Sequence, residues 1–304
     1  MLAGSEEAFQ IRGEGAIENE MSAIDSLLAG LIDYAGLYPP AGLDMRVAAR
    51  NYLNYRQGRH APVLGRFIVD LSRLVELRQI AGHSIREMRL TVVAPTTADW
   101  NSLLPLIEDG LPVETVEVKV DKSVDIGRIR EGFPARLPIY FEAAAGANYS
   151  DLLDAISSAG ARAKLRLGGI VAEAFPSPQV VASLIAAIAK RHIAFKATAG
   201  LHHPIRSYHR FACEPASLSG MMHGFVNLFC AASLLFFDGE LRDALCVLED
   251  EDPTAWRFTN EGIGWRDFRW NSEQIQSVRR NFLTSFGSCS FEEPLRDLET
   301  LGWL

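Results

Sequence analysis

Cysteine is scarce in this chain. Its 304 residues include four, Cys213, Cys230, Cys246 and Cys289, with no C-x-x-C pair and no finger-like spacing. A disulfide scaffold and a structural zinc module are thereby excluded, and free thiols predict a reducing, cytoplasmic setting. Positive charge is also in short supply: 30 Lys and Arg stand against 38 Asp and Glu, a formal charge of -8. A nucleic-acid-binding surface is not expected from that balance, although a local basic pocket for a small anion is compatible with it. Long apolar runs are missing too, since none reaches the roughly 18 residues of a membrane span. The most apolar stretch, Met221 to Phe237, is interrupted by His223 and Asn227 and reads as part of a buried helix. No membrane partner is expected. Residues 1–20 lack the basic start and apolar segment of a signal peptide. Residues 1–21 read as a flexible N-terminal segment ahead of a single domain, 22–304, in which no linker, low-complexity tract or repeat is visible.

Hydrophobic side chains make up 48% of the chain, ample for a large core. Ile24, Leu27, Leu28, Leu31 and Ile32 recur at helical spacing, and the glycines and prolines of 33–42 then break the pattern. A second helix is expected over 45–57. These two helices form an N-terminal extension. The stiff loop between them carries Asp33, Tyr34 and Tyr38 and could lid a pocket.

From Val63 the rhythm changes. Six candidate strands, 63–70, 88–94, 115–121, 138–144, 162–168 and 193–199, alternate with helix-length segments such as 149–158 and 177–191. Repeated β-α units of this kind predict an α/β fold with a parallel sheet, and six in succession favour a (β/α)8-type, TIM-like barrel. Strands seven and eight are not placed by pattern. Either the hairpin expected over 256–270 supplies them or the barrel is distorted. Ser217 to Phe237 reads as one long helix, 240–249 and 272–283 as two more, and 285–294 as a loop.

The two-residue period sorts each strand into an apolar face and a charged one. Arg66, Glu117, Lys119, Tyr140, Glu142, Lys164, Arg166, Lys196 and Thr198 share the second face. Helices cover the outside of a barrel, so these groups are expected to point inward. Barrel interiors are ordinarily apolar, and buried charge is costly without a partner. One reading is a self-neutralising ion-pair network. The other is that surplus cations, Arg66, Lys164 and Arg166, with Arg206, Thr198 and Asn227 nearby, hold a small carboxylate or phosphate substrate. On that second reading Lys196, flanked by cations and apolar walls, has a lowered pKa and attacks a carbonyl.

KATAG at 196–200, preceded by KLRLGG at 164–169, resembles the lysine-bearing strands of (β/α)8 class I aldolases of the deoxyribose-phosphate aldolase kind. The resemblance implies that Lys196 forms a Schiff base, with Lys164 a neighbouring cation and no cofactor. His202 and His203, just past Gly200, are then candidate acid/base groups, and Glu142 a proton shuttle. The leading expectation is a lyase of aldolase type, in which a homo-oligomer would be unremarkable.

The histidine clustering supports an alternative. His202, His203 and His223 fall within 22 residues, and with Glu142 they could bind one divalent metal ion for hydrolysis or isomerisation. On the expected helix His223 and Asn227 would share a face. A further alternative is a barrel that binds an anion without turning it over. In 285–294, Gly287 among serines could present N–H groups to an anion, or Ser290 and Glu293 could simply start a helix. Cys289 has no histidine beside it in sequence and is not placed among the catalytic candidates.

Overall fold

The computed structural model describes residues 22–98, 100–143, 149–212 and 217–304. The 1–21 segment, Cys213 and the last residue of the strand expected over 138–144 lie outside them. Eight parallel strands close into a barrel. In chain order these are β1 (Ile32–Tyr34), β2 (Leu64–Asp70), β3 (Leu90–Pro95), β4 (Val113–Val120), β5 (Ile139–Ala143), β6 (Arg162–Arg166), β7 (Phe195–Thr198) and, much later, β13 (Leu283–Ser288). β13 closes the ring between β7 and β1. The fold is the (β/α)8 barrel that the β-α repeat predicts.

Alternation builds this barrel as expected. Val116, Val118 and Val120 of β4, Ile139 and Phe141 of β5, and Phe195 and Ala197 of β7 are buried beneath the outer helices. Glu117, Tyr140, Glu142 and Lys196, one position out of phase, are buried on the inside. The helices are α2 (Met45–Gln57) after β1, α3 (Leu74–Ala81) after β2 and α4 (Leu104–Glu108) after β3. They continue with α5 (Val124–Glu131), α6 (Tyr149–Ser158) and α7 (Pro178–Ala189), and α11 (Glu292–Thr300) follows β13. Ser177 caps α7 by accepting from the Val180 N–H, with Pro178 at its first turn.

Four expectations are corrected. The first helix, α1 (Ala23–Leu28), ends before Gly30, and Ile32–Tyr34 is a barrel strand instead of helix and loop. The presumed extension therefore belongs to the barrel: β1 and α2 are its first unit. The tail of the expected 285–294 loop starts α11, and its beginning is β13. The 256–270 region supplies no barrel strand. It forms a separate antiparallel sheet of β10 (Trp256–Phe258), β11 (Gly262–Trp265) and β12 (Phe268–Asn271), followed by α10 (Ser272–Asn281). Nor is 217–237 one helix: β9 (Ser219–Met222) pairs antiparallel with β8 (Ser207–Arg210), and α8 (Phe225–Phe236) starts only after Gly224. His203 bridges to Gly224, and the Phe225 N–H bonds the His203 carbonyl, which holds that start in place.

Between β7 and β13 the chain thus inserts β8, β9, α8, α9 (Leu241–Glu249), the small sheet and α10. The helix α8 is buried along nearly its whole length. The 18-residue window Ala172–Ala189 has the length and composition of a membrane span. Its backbone is extended at Phe175 and Ser177, however, and the continuous helix α7 has only 12 residues, too short to cross a bilayer.

Candidate functional site

A chain of alternating charges runs across the barrel interior. Asp33 on β1 holds the ammonium of Lys196 on β7. That ammonium also lies 2.6 Å from Glu117 Oε1 on β4. Glu117 Oε2 is 2.7 Å from Lys164 Nζ on β6, and Lys164 reaches Glu142 Oε2 on β5 at 2.8 Å. Ser285 donates to Asp33 Oδ2 at 2.8 Å, and the Arg66 N–H donates to Asp33 Oδ1 at 2.7 Å. Arg66 itself turns to Glu114 at 2.9 Å, which Arg89 also holds at 2.8 Å. Four carboxylates thus face four cations. Lys196, Lys164 and Arg66 are each held by a carboxylate, contrary to one of the two expectations, in part because Asp33 enters from a strand that the periodicity does not reveal.

This pairing reverses the expectation for Lys196. Burial pulls its pKa down, but Asp33 and then Glu117 outweigh burial and raise it above the ordinary lysine range. Its side chain is 1% exposed, and it sits 5.6 Å from the Tyr140 ring centroid. Lys196 is a sealed ammonium at the centre of the network, not a depressed amine. Asp33 and Glu117 are lowered in turn, their lysines prevailing over desolvation.

Above this network, at the C-terminal ends of the strands, lies a cavity of about 430 Å³. In (β/α)8 barrels that end carries the binding loops. Glu117, Glu142 and Lys164 form part of its floor and Thr198 part of its wall. Lys164 is 11% exposed and is the lysine that opens to the cavity, whereas Lys196 is sealed beneath it. Its pKa too is raised, Glu117 and Glu142 prevailing over burial. Lys119 and Arg166 line the cavity as exposed groups, so Arg166 sits at its mouth and not in the buried interior. Neither has an ion pair among the described residues. Cations that face the cavity without an ion pair are therefore found at its rim.

Tyr38, Pro39 and Pro40 from the loop after β1 wall the cavity. Burial first and then the Asp70 carboxylate push the Tyr38 phenol up, so it stays protonated. Two strands round the barrel from β1, the backbone turns sharply after β7 through two left-handed residues, Ala199 (φ 61) and Gly200 (φ 68). That turn returns His202 to the cavity wall, where it meets Cys289 from the end of β13. His202 Nε2 lies 3.8 Å from Cys289 Sγ, and its Nδ1 lies 2.7 Å from Glu293 Oε2 at the start of α11. Burial lowers the imidazole, but Cys289 and Glu293 raise it to about 10.

The other sequence candidates lie elsewhere. His203 is bound to Asp297 at 2.6 Å and stacks on His209 with 3.4 Å between ring centroids. His223 precedes α8 instead of sharing its face with Asn227, and its Nε2 donates to the Pro176 carbonyl at 2.8 Å. Asn227 is structural: it donates to the Val247 and Asp250 carbonyls at 2.7 and 2.8 Å and accepts from the Arg206 N–H at 2.9 Å. The Arg206 side chain lies 3.6 Å from Glu251, and neither it nor Asn227 lines the cavity. Arg66 lies outside the cavity lining as well. Among the described residues no three His, Cys, Asp or Glu side chains are grouped to hold a metal ion, so His202, His203, His223 and Glu142 do not form the expected ligand set.

No family model matches this chain. No curated protein matches it either. Among solved structures, a point mutant of FabK from Thermotoga maritima is similar over 91% of this chain and 96% of its own, at 15% identity and a TM-score of 0.41. A likeness at that level says nothing about the chemistry of the site.

Sequence reasoning missed Asp33 as an interior group, and it missed the meeting of Cys289, His202 and Glu293. Lys119 had the right strand phase but was not singled out. For Asp33 the three-residue strand is too short to show a period. Cys289 and His202 are 87 residues apart in the chain, and no local pattern announces their meeting.

Proposed function

We propose that the protein is an enzyme that binds a small carboxylate- or phosphate-bearing carbonyl compound and performs lyase-type chemistry with Lys164. The carrying observation is the cavity itself: an ammonium and a carboxylate 2.8 Å apart on its floor, beneath two rim cations that have no ion pair among the described residues. Lys119 and Arg166 would hold the anionic end of the substrate, since charge-assisted hydrogen bonds to carboxylate and phosphate are the strong ones. The substrate carbonyl would then descend toward Lys164. Held between Glu117 and Glu142, Lys164 is a proton donor that stabilises charge developing on that oxygen. Glu142 is the paired base, and Tyr38 a second donor.

Proton transfer from Lys164 to Glu142 would free the amine for attack on the carbonyl, giving an imine with loss of water. The 2.8 Å contact supports that second reading. Incubation with pyruvate, glyoxylate or dihydroxyacetone phosphate and cyanoborohydride, followed by peptide mass spectrometry, separates the two. A reduced adduct on Lys164, absent in Lys164→Arg, supports the imine. Deuterium uptake at the carbon beside the carbonyl without an adduct supports acid/base chemistry alone. Stabilisation by these compounds with neither outcome would reduce the protein to an anion-binding barrel. An adduct on Lys196 in place of Lys164, or no response to any anion, would overturn the assignment.

A further inference from the structure

The wall of the cavity carries a second constellation that the proton-transfer floor does not use. Cys289 directly follows β13, His202 lies two residues beyond the left-handed turn after β7, and Glu293 lies in the first turn of α11. Three separate elements thus deliver a thiol, an imidazole and a carboxylate in line, at 3.8 Å and 2.7 Å. This is the order in which a nucleophile, its base and the group that orients the base are arranged. Both Cys289 and His202 also line an adjoining cavity of about 480 Å³, so the pair stands in the partition between two open spaces. The other described thiols lack such an environment: Cys230 is sealed in α8, where burial pushes it up to about 12, and Cys246 is exposed with no imidazole bonded to it.

We propose that Cys289, His202 and Glu293 form a thiol nucleophile of this cavity that adds reversibly to the carbonyl carbon of the bound anionic compound. His202 Nε2 takes the proton from the thiol while Glu293 holds Nδ1–H. The sulfur lone pair forms the C–S bond as the carbonyl π pair moves onto oxygen, and His202 returns its proton to that oxygen. The product is a hemithioacetal, formed with no oxidant, reductant or leaving group. The addition step rests on the proposed carbonyl-bearing substrate; the activation of the thiol does not. His202 is raised to about 10 by its two partners, so the proton it takes stays on the imidazole until the carbonyl oxygen receives it.

The test begins with the unliganded protein. Iodoacetamide labelling near pH 6.5, followed peptide by peptide, should alkylate the half-buried Cys289 on the order of tenfold faster than the exposed Cys246, because thiolate content and not exposure sets the rate. Glu293→Gln, a change at a partly exposed position, should slow Cys289 and leave Cys246 unaltered, and His202→Asn should slow it further. Labelling of Cys289 no faster than Cys246, or equally fast in Glu293→Gln and His202→Asn, would overturn the activated thiol. Glyoxylate should then protect Cys289 from alkylation, whereas formate, an anion without a reactive ketone or aldehyde, should protect it less. Equal protection by both would overturn the addition step. Cyanoborohydride adducts on Lys164 remain an independent measure, so failure of the thiol proposal and failure of the lysine reading are distinguishable.

Discussion

Lys164 and Lys196 are register partners on adjacent strands, and both bind Glu117, one on each carboxylate oxygen, at 2.7 and 2.6 Å. A single carboxylate therefore bridges an ammonium that opens to the cavity and one that does not. That asymmetry divides their roles: Lys164 can meet a substrate, while Lys196 neutralises Asp33 and Glu117 in the sealed interior. Removing a buried ion from such a network leaves its partners charged and unpaired, at a cost of about 3–5 kcal/mol. Lys196→Met is accordingly expected to lower the unfolding free energy by about that amount, read from urea denaturation. Adding Asp33→Asn to Lys196→Met should restore part of the loss, since it removes the carboxylate that has lost its ammonium, whereas Glu117 keeps Lys164. If Lys196→Met unfolds like the parent protein, the interior network does not hold the barrel together.

Lys119 and Arg166 bear on binding instead. Both are exposed at the mouth and neither supports the core, so Lys119→Ala and Arg166→Ala should leave the unliganded melting temperature nearly unchanged. Stabilisation by phosphate or a small oxo acid should weaken, by about tenfold in apparent affinity for each charge removed. The remaining stabilisation should depend less on ionic strength. Thermal-shift titrations at low and at physiological salt check both points.

The barrel was legible because its strands obey a rule with a period of two. Val116, Val118 and Val120 alternate with Glu117 and Lys119, and the helices between strands have room to form. β1 was not legible: Ile32 continues the helical spacing of α1, Asp33 and Tyr34 open the glycine- and proline-rich 33–42 stretch, and three residues cannot show alternation. Without Asp33, Lys196 looked like a lysine among cations, which inverted the expected direction of its pKa. The eighth strand was hidden differently. Leu283 to Ser288 contains a glycine and several small polar residues, so it reads as loop, and more than eighty residues separate it from β7. Its edge is satisfied only by closure between β7 and β1, a long-range fact. His202 and Cys289 were separated in the sequence by that same insertion.

The glycines of the KLRLGG and KATAG stretches have a structural reason. A Cβ at Gly200 would fall 2.6 Å from Phe175 Cε1 and 2.9 Å from Gly168 Cα, and one at Gly168 would lie 2.6 Å from Gly200 Cα. The ends of β6 and β7 cross too closely for a side chain on either, and Gly200 also has a positive φ. Gly200→Ala should cost roughly 2 kcal/mol or more, combining the conformational and steric penalties. It should also displace His202, two residues on. A variant that retains stability yet loses the fast labelling of Cys289 would show that the turn acts chiefly by aiming the histidine.

His202 gives the fold a pH dependence of definite sign. Its folded pKa, about 10, lies above the ordinary histidine value because Cys289 and Glu293 outweigh burial. A raised pKa stabilises the fold fully below the unfolded value of about 6.5, and that stabilisation is lost as pH climbs from there toward 10. His209 and His223 are shifted the other way, both lowered first by burial, so their contributions are lost as pH falls below about 6.5 and do not fall in the same window. Urea unfolding across the alkaline range should therefore show stability declining with pH. Glu293→Gln and Cys289→Ser, each removing one partner of the imidazole, should make the decline shallower, and His202→Asn should remove its contribution. A slope unchanged in all three would place the alkaline loss on other groups and sever His202 from its two neighbours.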